Sequence, residues 1–321
     1  MSNVLFCTDV VAARHGDRLR AIDPDIEFVT LDGDDPVSAD DISRITLAFF
    51  SHDAWPERAA NFFGVALRAA NLEWFHTMSA GVDHPVFRAL VDHGAILTNS
   101  AGTSAEPIAG TAIMYLLALS RDLPRMMRDQ ARSEWVWAPW SELDGASVAV
   151  VGYGPIGRHV ARLGAAHGMR PVVVRRAVRG DEGHPARPLS ELADVVRDAD
   201  AVVVALPLAE ETRGLVSAEL IAAMRPGALF VNVGRGELVD QPALTAALAE
   251  GRLGGAGLDV TDPEPLPADD PLWTLPNVII TPHNSGSTDG SDRRGAELFF
   301  ENLGRWVRGD ELLNRVERAG S

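Results

Sequence analysis

Three residues whose types together suit proton transfer on an anionic substrate stand at the ends of predicted strands in the second half of the chain. Arg235 lies in Asn232-Val233-Gly234-Arg235-Gly236-Glu237-Leu238-Val239-Asp240. Glu264 lies in Leu258-Asp259-Val260-Thr261-Asp262-Pro263-Glu264-Pro265-Leu266, and His283 in Thr281-Pro282-His283-Asn284-Ser285-Gly286. The carboxyl ends of parallel strands converge on one crevice, so a cation for an anion, a carboxylate and an imidazole would meet there. Singly, each has a plainer reading, as a surface cation, a loop carboxylate and a capping or core histidine. Their joint placement argues against it.

Upstream, Gly152-Tyr153-Gly154-Pro155-Ile156-Gly157 follows a predicted strand and opens the helical pattern Arg158 to His167. In such a strand–turn–helix, Gly152 permits the tight turn and Gly154 lets the backbone approach a pyrophosphate. Gly157 lets helix and strand pack closely, and the helix N-terminus stabilises the anion. The next predicted strand ends in Arg175-Arg176, where a dinucleotide fold that favours NAD usually carries an acidic residue for the ribose hydroxyls. Two arginines there offer charge-assisted donors to a 2′-phosphate instead, so NADPH is expected to be favoured, with NAD still usable. Solvent-screened charged hydrogen bonds of this kind give roughly ten- to a thousandfold preference.

The elements that must position these residues alternate β and α throughout, which makes the fold α/β. Strands are predicted at Val4 to Cys7, Ile26 to Leu31, Ile45 to Phe50, Leu72 to Met78 and Ala95 to Thr98. A helix at Glu106 to Ser120, with Ser104 before it as N-cap, and a polar, Trp-rich stretch at Arg121 to Leu143 follow. A second series of six parallel strands is expected at Ser147 to Val151, Pro171 to Arg175, Ala201 to Leu206, Leu229 to Val233, Gly257 to Val260 and Val278 to Thr281. A last helix near Ser291 to Val307 is expected to return to the first domain.

Composition narrows the function. The 29 basic residues are all arginine, which excludes a Schiff-base lysine and a Walker P-loop. A formal charge of −16 disfavours nucleic acid and anionic lipid surfaces. Cys7 is the single cysteine, so no internal disulfide or cysteine-based metal cluster is expected, and a reducing cytoplasm fits. No HExxH-like spacing points to a metal. The first ten residues have no basic segment before their apolar stretch and carry Asp9 where a secretory signal would continue, so export is not expected, and the longest apolar-type run, Ile108 to Leu119, is too short for a membrane helix.

On these motifs the sequence resembles the D-isomer-specific 2-hydroxyacid dehydrogenase family, which includes glyoxylate and hydroxypyruvate reductases and phosphoglycerate dehydrogenases. The resemblance is nearly full length and densest from Gly145 to Gly309. It implies two doubly wound parallel-sheet domains: a flavodoxin-like substrate domain of residues 1–99 plus 287–321, and a Rossmann cofactor domain of residues 100–286. It assigns Arg235 to the substrate and Glu264 and His283 to the acid/base pair. Ser79-Ala80-Gly81-Val82-Asp83 matches the carboxylate loop, in which Ala80 and Gly81 would offer backbone N–H groups. Asp259 matches a residue at the nicotinamide amide, and Pro207 and Thr212 match a loop over the cofactor. Leu206, Val233, Gly234, Ser285 and Gly286, at the same strand ends, complete the expected cofactor contacts with Gly152, Gly154, Pro155, Ile156, Gly157, Arg175, Arg176 and His283. The related formate dehydrogenases carry glutamine at the position of Glu264, which argues against that chemistry.

The implied activity is reduction of a small 2-oxo acid, such as glyoxylate or hydroxypyruvate, to the D-2-hydroxy acid, with His283 as proton donor. The competing class is a cofactor-sensing, corepressor-like binding protein without significant turnover. The resemblance also implies a homodimer through the cofactor domain. The helix at 106–120 and Trp135, Trp137 and Trp140 supply a local motive for it, and the tryptophans could instead cover the pocket mouth. Among the other histidines, His52 and His76 stand near strand ends where they could line the pocket. His15, His93, His159, His167 and His184 are expected to be solvated.

Overall fold

The computed structural model describes residues 2–33 and 35–316; Met1, Asp34 and residues 317–321, which fall in the expected first domain, lie outside the described residues. The chain divides into two compact units, residues 1–104 with 287–321, and residues 105–286.

The first unit alternates β1 (Val4–Thr8), α1 (Asp9–Ile22), β2 (Glu27–Leu31), α2 (Ala39–Arg44), β3 (Leu47–Phe50), α3 (Ala59–Arg68), β4 (Trp74–Thr77), α4 (Pro85–Asp92) and β5 (Ile96–Asn99). Among the described residues the five strands form one parallel sheet in the order β2-β1-β3-β4-β5, the flavodoxin-like winding. Strands β1, β3 and β4 are fully buried runs, because helices cover both faces of a parallel sheet. On one face Phe6, Phe50, Phe62 and Phe75 pack together. On the other, Phe49 stacks on Phe299 with ring centroids 4.2 Å apart, beside Trp74 and Leu303. Phe299 and Leu303 belong to the C-terminal helix of the chain (Asp289–Arg308), which therefore closes this core. Each such fully buried apolar side chain contributes about 1.5–3 kcal/mol.

The second unit holds α5 (Ala105–Ser120), α6 (Leu123–Ala131), β6 (Ser147–Val151), α7 (Pro155–Ala166), β7 (Arg170–Arg175), β8 (Ala186–Pro188), α8 (Leu192–Asp198) and β9 (Ala201–Val204). It continues through α9 (Ala218–Ala223), β10 (Leu229–Asn232), α10 (Gln241–Ala249), β11 (Gly255–Leu258) and β12 (Val278–Ile280); the C-terminal helix of the first unit is α11. Its parallel sheet runs β12-β11-β10-β9-β6-β7-β8. The chain winds outward from β6 in one direction and from β9 in the other. The crevice at their carboxyl ends is the topological switch point where such sheets bind ligands.

Three sequence expectations are corrected here. The described sheet has seven strands where six were expected, because β8 is a three-residue strand containing proline, paired to β7 by Val173–Ala186. The stretch after α5 contains a helix, α6, whose polar face is tied by ion pairs: Asp129 accepts from Arg125 at 2.6 Å and from Arg132 at 2.8 Å. The third is the dimer motive drawn from α5: as expected of a buried helix its apolar run is largely internal core, although Met114 stays about half exposed. Ala109, Ala112, Tyr115 and Leu116 are fully buried, and a Cβ on Gly257 would lie 2.4 Å from Tyr115 Cγ. The tryptophans that follow are exposed, Trp135 fully and Trp137 by 84%.

Candidate active site

The predicted site residues of the second unit lie at the carboxyl ends of strands or in the segments that follow them. Gly152 leaves β6 with φ +103°, and a Cβ there would meet the Ala205 carbonyl oxygen at 2.6 Å. A Cβ on Gly157 would lie 1.9 Å from the Gly152 carbonyl oxygen. Both positions therefore admit only glycine. Gly154, by contrast, faces open space and is the N-cap of α7, where no side chain caps the first helical amides. The N-terminal N–H groups of α7, with Pro155 and Ile156 in its first turn, are thus left to an external anion. That arrangement fits the pyrophosphate of a dinucleotide. Leu206 and Pro207 follow β9, and the buried Thr212 builds their turn, its hydroxyl donating to the Pro207 carbonyl at 2.9 Å and accepting from Ala209 N–H at 2.8 Å.

Beyond β10, the buried Asn232 side chain fixes the segment carrying Val233, Gly234 and Arg235. Its amide donates to the Arg235 carbonyl at 2.8 Å and its oxygen accepts from Gly234 N–H at 3.0 Å. Gly236 is obligatory, since a Cβ would lie 2.0 Å from the Thr261 carbonyl oxygen. The half-buried Arg235 also donates to the Gly234 carbonyl at 2.8 Å.

His283 and Glu264 meet directly, with Nδ1 2.8 Å from Oε2. A carboxylate only accepts, so Nδ1 carries the hydrogen and Nε2 is the nitrogen left to face a substrate. The hydrogen bond and charge of Glu264 raise the His283 pKa above 6.5, against the lowering effects of burial and of Arg235. Burial alone would raise Glu264, but the hydrogen bond and charge of His283, Thr261 N–H and Arg235 bring it below the usual carboxylate range. Each member thus favours the charged form of the other, imidazolium beside carboxylate.

The loop carrying His283 is held by a residue beneath it. His283 adopts φ +50°, the left-handed region, and its N–H donates to the Asp259 carbonyl at 2.8 Å. The buried Asp259 carboxylate accepts from Thr281 Oγ1 at 2.5 Å, from Asn284 N–H at 3.1 Å, and from the Ser285 hydroxyl and N–H. Tyr115 hydroxyl is hydrogen-bonded in turn to Thr281 Oγ1. Gly286 closes the turn. Asp259 is therefore engaged in positioning this loop, and Asn232, Tyr115 and Thr281 are supporting residues that sequence reasoning missed.

The arginines at the end of β7 are both paired. Arg176 is exposed and bonded to Glu211, while Arg175 is largely buried against Glu182 at 2.9 Å.

In the first unit, Ala80 and Gly81 lie in the loop after β4, where the Ala80 carbonyl accepts from Asn99 Nδ2 at 2.8 Å. His76 is a core residue rather than a pocket residue. It is wholly buried between Thr98 and Ser100 hydroxyls, at 2.7 and 3.2 Å, and burial pushes its pKa down to about 3. His52 pairs with Asp292 at 2.6 Å and lines a cavity of about 320 Å³ inside this unit. Among the described residues no cluster of His, Cys, Asp and Glu could hold a metal ion, and no helix is long and apolar enough to cross a membrane.

Comparison with known proteins matches residues 113–285 to the family described as D-isomer specific 2-hydroxyacid dehydrogenase, NAD binding domain. The human glyoxylate reductase/hydroxypyruvate reductase is 31% identical over 310 residues, 91% of this chain and 92% of the human one. A D-isomer specific 2-hydroxyacid dehydrogenase from Xanthobacter autotrophicus Py2, solved with NADPH and MES, superposes with a TM-score of 0.80 at 32% identity over 98% of each chain. D-lactate dehydrogenase from Aquifex aeolicus, solved with NAD and lactic acid, gives 0.77 at 26% identity over 99% of this chain and 100% of that one. With its two parallel-sheet units and a family match spanning more than half its length, the chain belongs to the D-isomer specific 2-hydroxyacid dehydrogenases, enzymes that use a nicotinamide cofactor.

Proposed function

We propose that the protein reduces a small 2-oxo acid of the glyoxylate or hydroxypyruvate type to the D-2-hydroxy acid, with NADPH favoured and His283 as proton donor. The observation that carries this reading is the His283–Glu264 contact at 2.8 Å, with the Arg235 cation acting on both members. The bound nicotinamide supplies the hydride. The chain must then bind the substrate carboxylate, polarise its carbonyl and deliver one proton. Arg235 is proposed for the first two tasks, and Ala80 and Gly81 as backbone donors to the carboxylate. His283 Nε2 gives the proton in reduction and takes it back in oxidation, while Glu264 holds the ring by Nδ1. The test is a panel of 2-oxo acids with NADPH and NADH. No oxidation of either cofactor across the panel would favour a cofactor-sensing binding protein instead.

NADPH preference is proposed from Arg175 and Arg176. Because each already has an acidic partner, the expected gain lies toward the lower end of the range for charged donors, about tenfold in kcat/KM for NADPH over NADH. Added salt should erode it, and Arg175→Asp should reverse it. A wild-type ratio at or below one would remove the preference without touching the dehydrogenase reading.

The protein is further proposed to be a homodimer through its cofactor unit. Trp135, Val136, Trp137 and Trp140 stand exposed in one short segment, an apolar patch of the kind that marks a contact surface. Sedimentation at micromolar concentration should give twice the 34.4 kDa chain mass. A monomer mass would exclude this assembly.

A further inference from the structure

Between β7 and β8 the backbone wraps around one carboxylate. Glu182 leaves only 2% of its side chain exposed in a loop where charged residues otherwise face water. Its Oε1 accepts from Arg175 Nη1 at 2.9 Å and from Arg179 N–H at 2.8 Å, and its Oε2 from Gly180 N–H at 2.8 Å. The backbone carbonyl of Glu182 accepts the hydroxyl of Tyr153, which lies between Gly152 and Gly154 in the glycine-rich turn. Arg175 Cζ lies 5.8 Å from the centre of the Tyr153 ring. One residue thus joins the glycine-rich turn to the end of β7.

An acidic residue in this neighbourhood would ordinarily be read as the acceptor of two ribose hydroxyls. Glu182 cannot serve that way. Three fixed donors occupy most of the acceptor capacity of its two oxygens, and the side chain is enclosed. What it does instead is hold a guanidinium. Both nearby carboxylates, Glu182 at 2.9 Å and Asp181 at 3.6 Å, meet the same nitrogen, Nη1. Nε and Nη2, one edge of the fork, are thereby set in a fixed orientation. An arginine held by a partner loses less rotamer freedom on binding a phosphate than one free in water, so its donors act with less entropic cost.

We propose that Glu182 is a positioning residue for recognition of the cofactor 2′-phosphate, acting through Arg175 and the loop 176–185. This inference rests on the NADPH reading above. It is distinct from the expectation that Arg175 itself matters, because it assigns selectivity to a carboxylate whose own charge would repel the phosphate.

The test is calorimetric binding of adenosine 2′,5′-bisphosphate and adenosine 5′-monophosphate to the full chain, with neither nicotinamide nor turnover involved. The quantity read is the ratio of the two affinities, in which any general loosening of the adenosine site cancels. Wild type should favour the bisphosphate, and Arg175→Ala should bring the ratio close to one. Glu182→Ala should lower it about tenfold, and Glu182→Gln, which keeps one acceptor oxygen but loses the charge, about threefold. If the alanine variant does not fold, the glutamine variant alone decides. A ratio unchanged or raised in whichever variant folds would overturn the role of Glu182, since a merely neutralising carboxylate would raise bisphosphate affinity when removed. A wild-type ratio at or below one would overturn the NADPH reading, and this inference with it.

Discussion

Replacing His283 by alanine should lower kcat for 2-oxo acid reduction by about 10² to 10⁴, the usual loss when a positioned proton donor is removed. That is about 2.7 to 5.4 kcal/mol of barrier. Cofactor affinity should change far less, because most of the expected cofactor contacts, those of the glycine-rich turn and α7 among them, lie outside the loop at 281–286. The pH profile carries the sharper signature. In the proposed mechanism reduction needs the imidazolium, and Glu264 holds the His283 pKa above its ordinary value. The reductive rate should therefore hold below that elevated pKa and fall as pH rises through it, with the mirror image in oxidation. Glu264→Gln removes both the charge and the carboxylate hydrogen bond, so the falling limb should move to lower pH. An alanine variant with near-normal turnover, or a glutamine variant with an unmoved limb, would end the proposed mechanism.

Arg235→Gln should cut kcat/KM by about 10² to 10³, in line with removal of a charged donor aimed at developing negative charge. Glutamine keeps a hydrogen-bond donor but loses the planar cation that pairs with a carboxylate through two parallel bonds. The loss should appear in both KM and kcat, since the residue is proposed to hold the carboxylate and to polarise the carbonyl. A second consequence has the opposite sign to that of Glu264→Gln. Arg235 depresses the His283 pKa, so its removal should carry the falling limb to higher pH. Steady-state kinetics across pH with one 2-oxo acid would check both; a variant changed in neither would show that Arg235 does not face the substrate.

Much of this site could be read from sequence because its parts are local. Gly152 and Gly157 announce themselves by spacing between a β-branched run and a helix, and the close approaches to Ala205 and Gly152 carbonyls are the physical reason for that spacing. Arg235, Glu264 and His283 could be placed because each follows a short apolar strand. What escaped depends on long-range contact. Tyr115 and Thr281 lie 166 positions apart, and no pattern around either signals the hydrogen bond between them. The acidic partners of Arg175 and Arg176 were missed for the same reason in one case, Glu211, and in the other because Glu182 sits in a glycine-rich loop where a carboxylate reads as solvated. Helix α6 was hidden because its stability draws on Arg125, Asp129 and Arg132 more than on an apolar stripe. The buried α5 illustrates the converse: twelve apolar-type residues in a row mark burial but not what buries them, and here it is α7 together with the helix's own sheet.

The left-handed backbone of His283 bears on how this chain can change by mutation. At φ +50° most L-residues are strained, whereas glycine and asparagine adopt that region readily. The backbone there does not by itself select histidine, so substitutions to either of those residues would leave the Asp259-supported turn intact while removing the proposed proton donor. Folding alone exerts no pressure to retain histidine there. A descendant that keeps the fold and the glycine-rich turn but has lost most of the proposed turnover is then a single substitution away.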